Sequence, residues 1–301
     1  FSSRRRHTRL RTVTGVQTCA LPISLAYAVA EALRGEVLPF ALELLAFSEE
    51  EGVRFGVPFI GSRALTGTLE PLLTLRDAQG VSVLDAIRAY GLDDATLPDA
   101  AERGGALGFL EFHIEQGPVL QAAGAAVGVV SAIVGQDRVL LDFTGQAAHA
   151  GTTPMGHRRD ALAAAARFAV AAEELARATP GLVATVGVMT ARPGAINVIP
   201  GSAHCTLDLR HEDDAVRAGA LEALLSAART FAEERGVSLD VTHKMAQPAI
   251  PMDAAFRDLL RAAAAQEGLR APDLVSGAGH DAMILAETDR KSTRLNSSHR
   301  T

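Results

Sequence analysis

An α/β protein carrying an inserted α+β domain is what three features of this 301-residue chain predict. Two nearly continuous apolar runs, at 40–47 (FALELLAF) and within 108–115, read as strands buried on both faces, and each ends in acidic or histidine residues. From residue 128 onward the pattern changes to strand, strand, helix, strand, strand, helix, strand. A glycine-rich loop, Ser276-Gly277-Ala278-Gly279-His280-Asp281, then follows a returning helix and supplies a third set of polar residues at the end of a core element.

In order, 25–33 reads as a helix closed by Gly35, and 40–47 as the first core strand, followed at once by Glu49-Glu50-Glu51-Gly52. Open α/β sheets bind ligands just past the carboxyl ends of such strands. Short helices are expected at 61–65 and 83–90, and a second core strand at 108–115. The later strands are 129–134, 138–144, 183–190, 203–210 and 237–242, with helices at 160–177 and 213–235. The second of these helices puts Leu221, Leu224, Leu225 and Ala228 on one stripe. In strand 203–210, Cys205, Leu207 and Leu209 share one face, while Thr206, Asp208 and Arg210 share the other. Helices therefore cover one face of a small antiparallel sheet, and the other is left to present Arg210. The domain division is 24–130 and 244–288 for the first domain, with 131–243 inserted; 254–266 is the helix that returns to it.

The ends differ in kind. Residues 1–23 hold five Arg and no acid, and 289–301 hold four Lys/Arg and one Asp, whereas the only lysine between them is Lys244. Both ends resemble translated sequencing-adapter sequence and are expected to be foreign, poorly packed and without function. Thr, Gly, Gln and Pro interrupt 13–23, so no apolar core of a targeting peptide is present there. Without the two ends the balance is 20 Lys/Arg against 34 Asp/Glu, a net charge of −14. Such an acidic segment excludes nucleic acid and anionic membrane as partners. Cys19 lies in the foreign end and Cys205 stands alone, so no disulfide framework exists and a cytoplasmic setting is expected.

Three groups of residues carry chemistry. An acidic triplet alone is a solvated helix start, but Glu50 and Glu51 end a buried run. One carboxylate can bind metal while its neighbour accepts a proton from water. His113, among Phe109, Leu110, Phe112 and Ile114, is either a satisfied core histidine or a ligand. His280, between Gly279 and Asp281, is the strongest single candidate, because an adjacent carboxylate can orient a ligand imidazole. Arg210 offers a planar fork for a carboxylate, or else a salt bridge to Asp208 or Asp213. His149, between Gly145 and Gly151, can donate to a tetrahedral oxygen or be a plain loop residue. Asn197 can do the same or shape the turn before Pro200-Gly201.

The segments FSEEEGVRFG, FLEFHIEQGPVL, GQAAHAGTTPM, GAINVIPG, LDLRH and SGAGHDAM, in that order over 25–288, resemble the carbamoylase-type amidases. These comprise allantoate and N-carbamoyl-L-amino-acid amidohydrolases, with β-ureidopropionase as a relative, in the zinc aminoacylase and carboxypeptidase superfamily. The resemblance implies a metallopeptidase-like catalytic domain, here incomplete, with a lid and dimerisation domain at 131–243. It implies a homodimer, two divalent ions (Zn²⁺, Mn²⁺ or Co²⁺) and a small ureido acid substrate. Glu51, His113 and His280 would be metal ligands, and Glu50 the general base. Gln116, His149, Asn197 and Arg210 would contact substrate. The family motif with a further His and a bridging Asp should precede Leu25, where the basic segment stands, and the part beyond the GHDA loop is missing. The expectation is therefore a copy that holds metal weakly and does not turn over, in the limit a non-catalytic dimer-forming fragment.

Overall fold

The computed structural model describes residues 20–101, 105–287 and 292–297. Expectations placed on 1–19, 289–291 and 298–301 lie outside the described residues. Along the chain the helices are α1 (Ala20–Ala32), α2 (Ile60–Thr66), α3 (Val83–Ala89), α4 (Leu97–Ala100) and α5 (Val119–Ala122). They continue with α6 (Ala161–Ala178), α7 (Asp214–Glu233), α8 (Ala254–Gln266) and α9 (Asp281–Glu287). The strands are β1 (Phe109–Ile114), β2 (Val127–Ile133), β3 (Gly135–Thr144), β4 (Ala148–His149), β5 (Val183–Thr185) and β6 (Met189–Arg192). They end with β7 (Val198–Ile199), β8 (Ser202–His211), β9 (Ser238–Gln247), β10 (Ile250–Pro251), β11 (Asp273–Ser276) and β12 (Ser292–Ser297). Together these are the mixed helices and sheets of an α/β chain.

The chain divides into two compact units. The first holds the described residues of Phe1–Ser131, Met252–Leu274 and Gly279–Thr301. Within it β1 pairs in parallel with β12, and β12 runs antiparallel to β2. Helix α3 starts at a capping box, Ser82 accepting from the Asp85 amide while Asp85 reaches back to Ser82. Ile60, Leu69 and Val83 bury a small core under the loop that carries Glu50. Another forms where Leu120 and Leu274 close over Gly128, whose missing Cβ would meet Leu120 Cδ2 at 2.7 Å and the Pro272 carbonyl at 3.1 Å.

Two expectations fail in this unit. Residues 40–47 form no strand; Leu44 alone is in a single bridge, and Phe47 packs against Phe109 of β1, ring centres 6.1 Å apart. None of these residues is buried, so the run's hydrophobicity fixed neither pairing nor burial here. Conversely, 292–297 was assigned to a poorly packed foreign end, yet β12 lies between β1 and β2. Composition carries no information about this, because ladder hydrogen bonds are made by the backbone of any non-proline residue.

The second unit comprises Ala132–Pro251 with Val275–Ala278. Its sheet runs β5-β8-β3-β9, with β6 also on β8, all antiparallel. Alternation decides the two faces. Val139, Leu141 and Phe143 of β3 and Cys205, Leu207 and Leu209 of β8 are buried beneath α6 and α7. The intervening side chains, from Gln136 and Arg138 to Asp208 and Arg210, lie on the opposite face. The predicted strand 183–190 breaks in two: at 186–188 the chain leaves the ladder, and the Val188 amide bonds the Thr206 hydroxyl instead. Helix α7 is fastened by Arg217, whose Nε donates to Asp137 of β3 at 2.6 Å and whose Nη1 pairs with Asp214. Gly135 must be glycine there, since a Cβ would collide with that guanidinium.

Among the described residues no helix is long and apolar enough to cross a membrane.

Candidate metal centre

Three elements of the first unit bring donors together. Strand β1 carries Glu111 and His113 two residues apart, hence on one face. The loop before α9 carries His280 on a close path: a Cβ on Gly279 would lie 3.1 Å from Met283 Sδ and 3.2 Å from Phe59 Cζ. The loop from 49 to 59 carries Glu50 and Glu51 and is closed on itself. The Phe59 amide bonds the Glu49 carbonyl at 2.8 Å, and the Arg54 amide bonds the Glu49 carboxylate at 3.1 Å. Both ends of that loop have left-handed backbone, Glu49 at φ 54° and Phe59 at φ 68°. Gln116, just past β1, is also left-handed at φ 58°.

His280 is 1% exposed, and neither ring nitrogen has a hydrogen-bond partner. Its Nδ1 faces two carboxylates, Glu50 Oε1 at 3.5 Å and Glu111 Oε1 at 3.9 Å, distances too long for hydrogen bonds. The His113 ring lies 4.3 Å away, centre to centre, and its Nδ1 sits 2.6 Å from the Ile114 carbonyl. A donor atom from each of Glu111, His113 and His280 falls within 4.8 Å of the others. Asp281 is 5% exposed at the start of α9. Burial pushes its carboxyl up to about 7, against a hydrogen bond from Ser62, with the Glu111 and Glu50 charges adding to the rise. Buried imidazole nitrogens without partners, ringed by carboxylates that repel one another, fit a divalent cation. Imidazole and carboxylate are ligands that Zn²⁺ accepts.

The sequence-predicted residues divide as follows. Glu50, His113 and His280 come together. Glu51 is exposed, and no ion pair joins it to His280 among the described residues. Asp281 turns to Ser62, so the carboxylates at the His280 ring are Glu50 and Glu111. Glu111 escaped the sequence reading; the signal was its i, i+2 spacing from His113 on one strand. Gln116 lies beyond β1, where neighbouring Glu115 accepts from the Val119 and Leu120 amides at 2.7 and 2.8 Å and starts α5.

His149, Asn197 and Arg210 belong to the second unit. β4 pairs with β7, setting His149 opposite Val198, and the Asn197 carbonyl accepts from the Ala150 amide at 2.9 Å. The His149 and Asn197 segments thus lie side by side. Arg210 is engaged: Nε and Nη2 donate to Asp208 at 2.6 and 3.0 Å, and Nη1 to the Gly277 carbonyl at 2.6 Å. Of the two roles open from sequence, the salt bridge to Asp208 is the one formed here. Burial raises the Asp208 pKa, but Arg210, Arg138 and Gln136 outweigh it and hold the carboxyl below its ordinary value.

The profile of Peptidase family M20/M25/M40 matches residues 14–294. The chain is 42% identical over 254 residues to the N-carbamoyl-L-amino acid amidohydrolase of Geobacillus stearothermophilus, covering 84% of this chain and 62% of that protein. It is 39% identical over 250 residues to the allantoate amidohydrolase of Escherichia coli (strain K12), covering 81% and 60% respectively. The chain therefore spans about three-fifths of the length of these relatives. Among solved structures, a hydantoinase/carbamoylase-family amidase from Burkholderia multivorans superposes with a TM-score of 0.81 at 32% identity, over 91% of this chain and 67% of that one. Matched by that profile over most of its length, the chain belongs to peptidase family M20/M25/M40, among its hydantoinase/carbamoylase-type amidases.

Proposed function

We propose that this chain carries the metal-binding and substrate-binding residues of a metal-dependent amidohydrolase acting on a linear ureido acid. The observation that supports it most is His280, buried with both nitrogens unpartnered and facing carboxylates beside His113. The relatives named for allantoate and N-carbamoyl amino acids support the ureido class. In this reading Glu51, His113 and His280 hold metal, and Glu50 is the base. When bound, a divalent ion polarises the ureido carbonyl and acidifies the attacking water. Glu50 takes the proton of that water at a carboxylate oxygen and returns it to the departing nitrogen. Gln116 holds the ureido amide, Arg210 the substrate carboxylate, and His149 and Asn197 donate to the tetrahedral oxygen. The carbon–nitrogen bond breaks, ammonia leaves, and the remaining carbamate loses carbon dioxide. Allantoate is the leading substrate, and N-carbamoyl-L-amino acids or a β-ureido acid the alternatives. The 131–243 segment acts as lid and pairing surface of a homodimer.

The donors grouped among the described residues are fewer than two ions need. We therefore infer weak metal retention and turnover close to background for this chain. Two measurements test the reading. Metal content, with Zn²⁺, Mn²⁺ and Co²⁺ offered in turn, should depend on His280; retention unchanged in His280→Ala refutes the site. Ammonia release from allantoate, N-carbamoyl amino acids and a β-ureido acid is compared with hydrolysis of N-acetyl amino acids and dipeptides. Faster cleavage of the acyl or peptide substrates would overturn the ureido assignment.

A further inference from the structure

We propose that Glu111 is the positioning residue for His280: its carboxylate, pinned by the Ala282 amide, holds the imidazole with Nδ1 toward Glu111 and leaves Nε2 as the metal donor. The inference rests on the metal-site reading above but adds a residue which that reading does not use.

Four observations carry it. Glu111 Oε2 accepts from the Ala282 amide at 3.0 Å, so one oxygen ties β1 to the first turn of α9, the helix that follows His280. Its other oxygen, Oε1, lies 3.9 Å from His280 Nδ1. The two histidines differ in what orients them. His113 has a carbonyl at hydrogen-bond distance from its Nδ1, whereas His280 has no partner on either nitrogen. A ligand imidazole needs its second nitrogen held, most often by a carboxylate or carbonyl, to fix ring and tautomer. Finally, the competing carboxylate is less suited. Glu50 approaches closer, at 3.5 Å, but its side chain is 29% exposed on a loop, against 14% for Glu111 on a strand. Assigning Glu111 to orientation keeps the roles of the two carboxylates apart, with Glu50 as the base.

The closing experiment separates this inference from the metal-site reading. In metal-free protein, selectively ¹⁵N-histidine-labelled, the tautomer of His280 is read by NMR at pH 8, its signals assigned by loss in His280→Gln. Wild type should show the Nδ1–H form. Glu111→Leu should move the population toward Nε2–H, and so should Glu111→Gln, whose single amide oxygen stays on the Ala282 amide and turns its NH2, a donor, toward Nδ1. Zn²⁺ affinity, measured with a competing chelator, should then fall roughly 10–100-fold in both variants, and by less than in His280→Ala. An unchanged tautomer in Glu111→Leu overturns the proposal. If that variant does not fold, Glu111→Gln decides alone: loss of Zn²⁺ as complete as in His280→Ala would make Glu111 a ligand rather than a positioning residue. Zn²⁺ binding indifferent to His280 would instead refute the metal-site reading and leave the tautomer result standing by itself.

Discussion

Removing the carboxylate of Asp137 should cost the second unit more stability than removing the whole ion pair. Asp137 and Arg217 are 6% and 7% exposed, and the Nε–carboxylate contact is 2.6 Å. Burial lowers the Arg217 pKa, but its bonds to Asp137 and Asp214 outweigh that and keep the guanidinium charged. Asp137→Ala therefore strands a buried cation with only Asp214 left. Breaking a buried pair on one side costs about 3–5 kcal/mol, and the surviving Asp214 contact argues for the lower end, about 3 kcal/mol. In a unit of this size that lowers the melting temperature by roughly 10 °C. Asp137→Ala/Arg217→Met removes both charges, and it should recover at least 1 kcal/mol of the loss. Urea unfolding followed by far-ultraviolet circular dichroism measures wild type, Asp137→Ala, Arg217→Met and the double variant. A single variant within about 0.5 kcal/mol of wild type, or a double variant that loses the sum of the two single losses, refutes the reasoning.

Glu50→Gln should spare metal content, whereas Glu51→Ala should lose metal. In a chain with measurable turnover Glu50→Gln should slow it about 10²–10⁴-fold; the reverse pattern in metal content would exchange the two roles. Asp208 has a folded pKa below its ordinary 3.8, so the stability it contributes is present above that pH and lost as pH falls through the lower, folded value. Acid unfolding of Asp208→Asn should therefore show a weaker pH dependence below about pH 4 than wild type, and equal slopes would contradict the Arg210 pairing. Cys205 is buried and its thiol pushed up to about 11, chiefly by burial. At pH 8 it should resist a thiol reagent in the native protein and react fully in denaturant; rapid native labelling would show that α6 and α7 do not cover it.

The second unit was legible because its signals are periodic. Alternation in β8 and the stripe on α7 each specify a buried face, and both faces meet in one core. The first unit was legible only where its donors sit. His280 was readable from its glycines, which fit a loop that passes close to Phe59 and Met283. Glu111 was not readable, because one carboxylate between Leu110 and Phe112 looks like an ordinary outward strand residue until the Ala282 amide is seen against it. Residues 40–47 misled in the other direction: an apolar run suggested a strand buried on both faces, whereas none of the eight residues is buried and only Leu44 is in a bridge. Arg210 was legible in both of its roles, a fork for a carboxylate and a partner for Asp208, and side-chain chemistry alone does not rank them.

The left-handed backbone at Glu49, Phe59 and Gln116 bears on how this protein responds to being evolved for heat tolerance. Each costs about 1–2 kcal/mol that glycine would not incur. Phe59 is buried and would lose more by truncation than it gains, but Glu49 and Gln116 are not, so cheap gains in stability lie beside the donors at those two positions. A screen that rewarded survival at high temperature alone would favour glycine or asparagine at these positions. It would slacken the two segments whose curvature presents Glu50 and Gln116. Coupling that screen to metal retention would spare these positions and drive the gains into the second unit's helices instead.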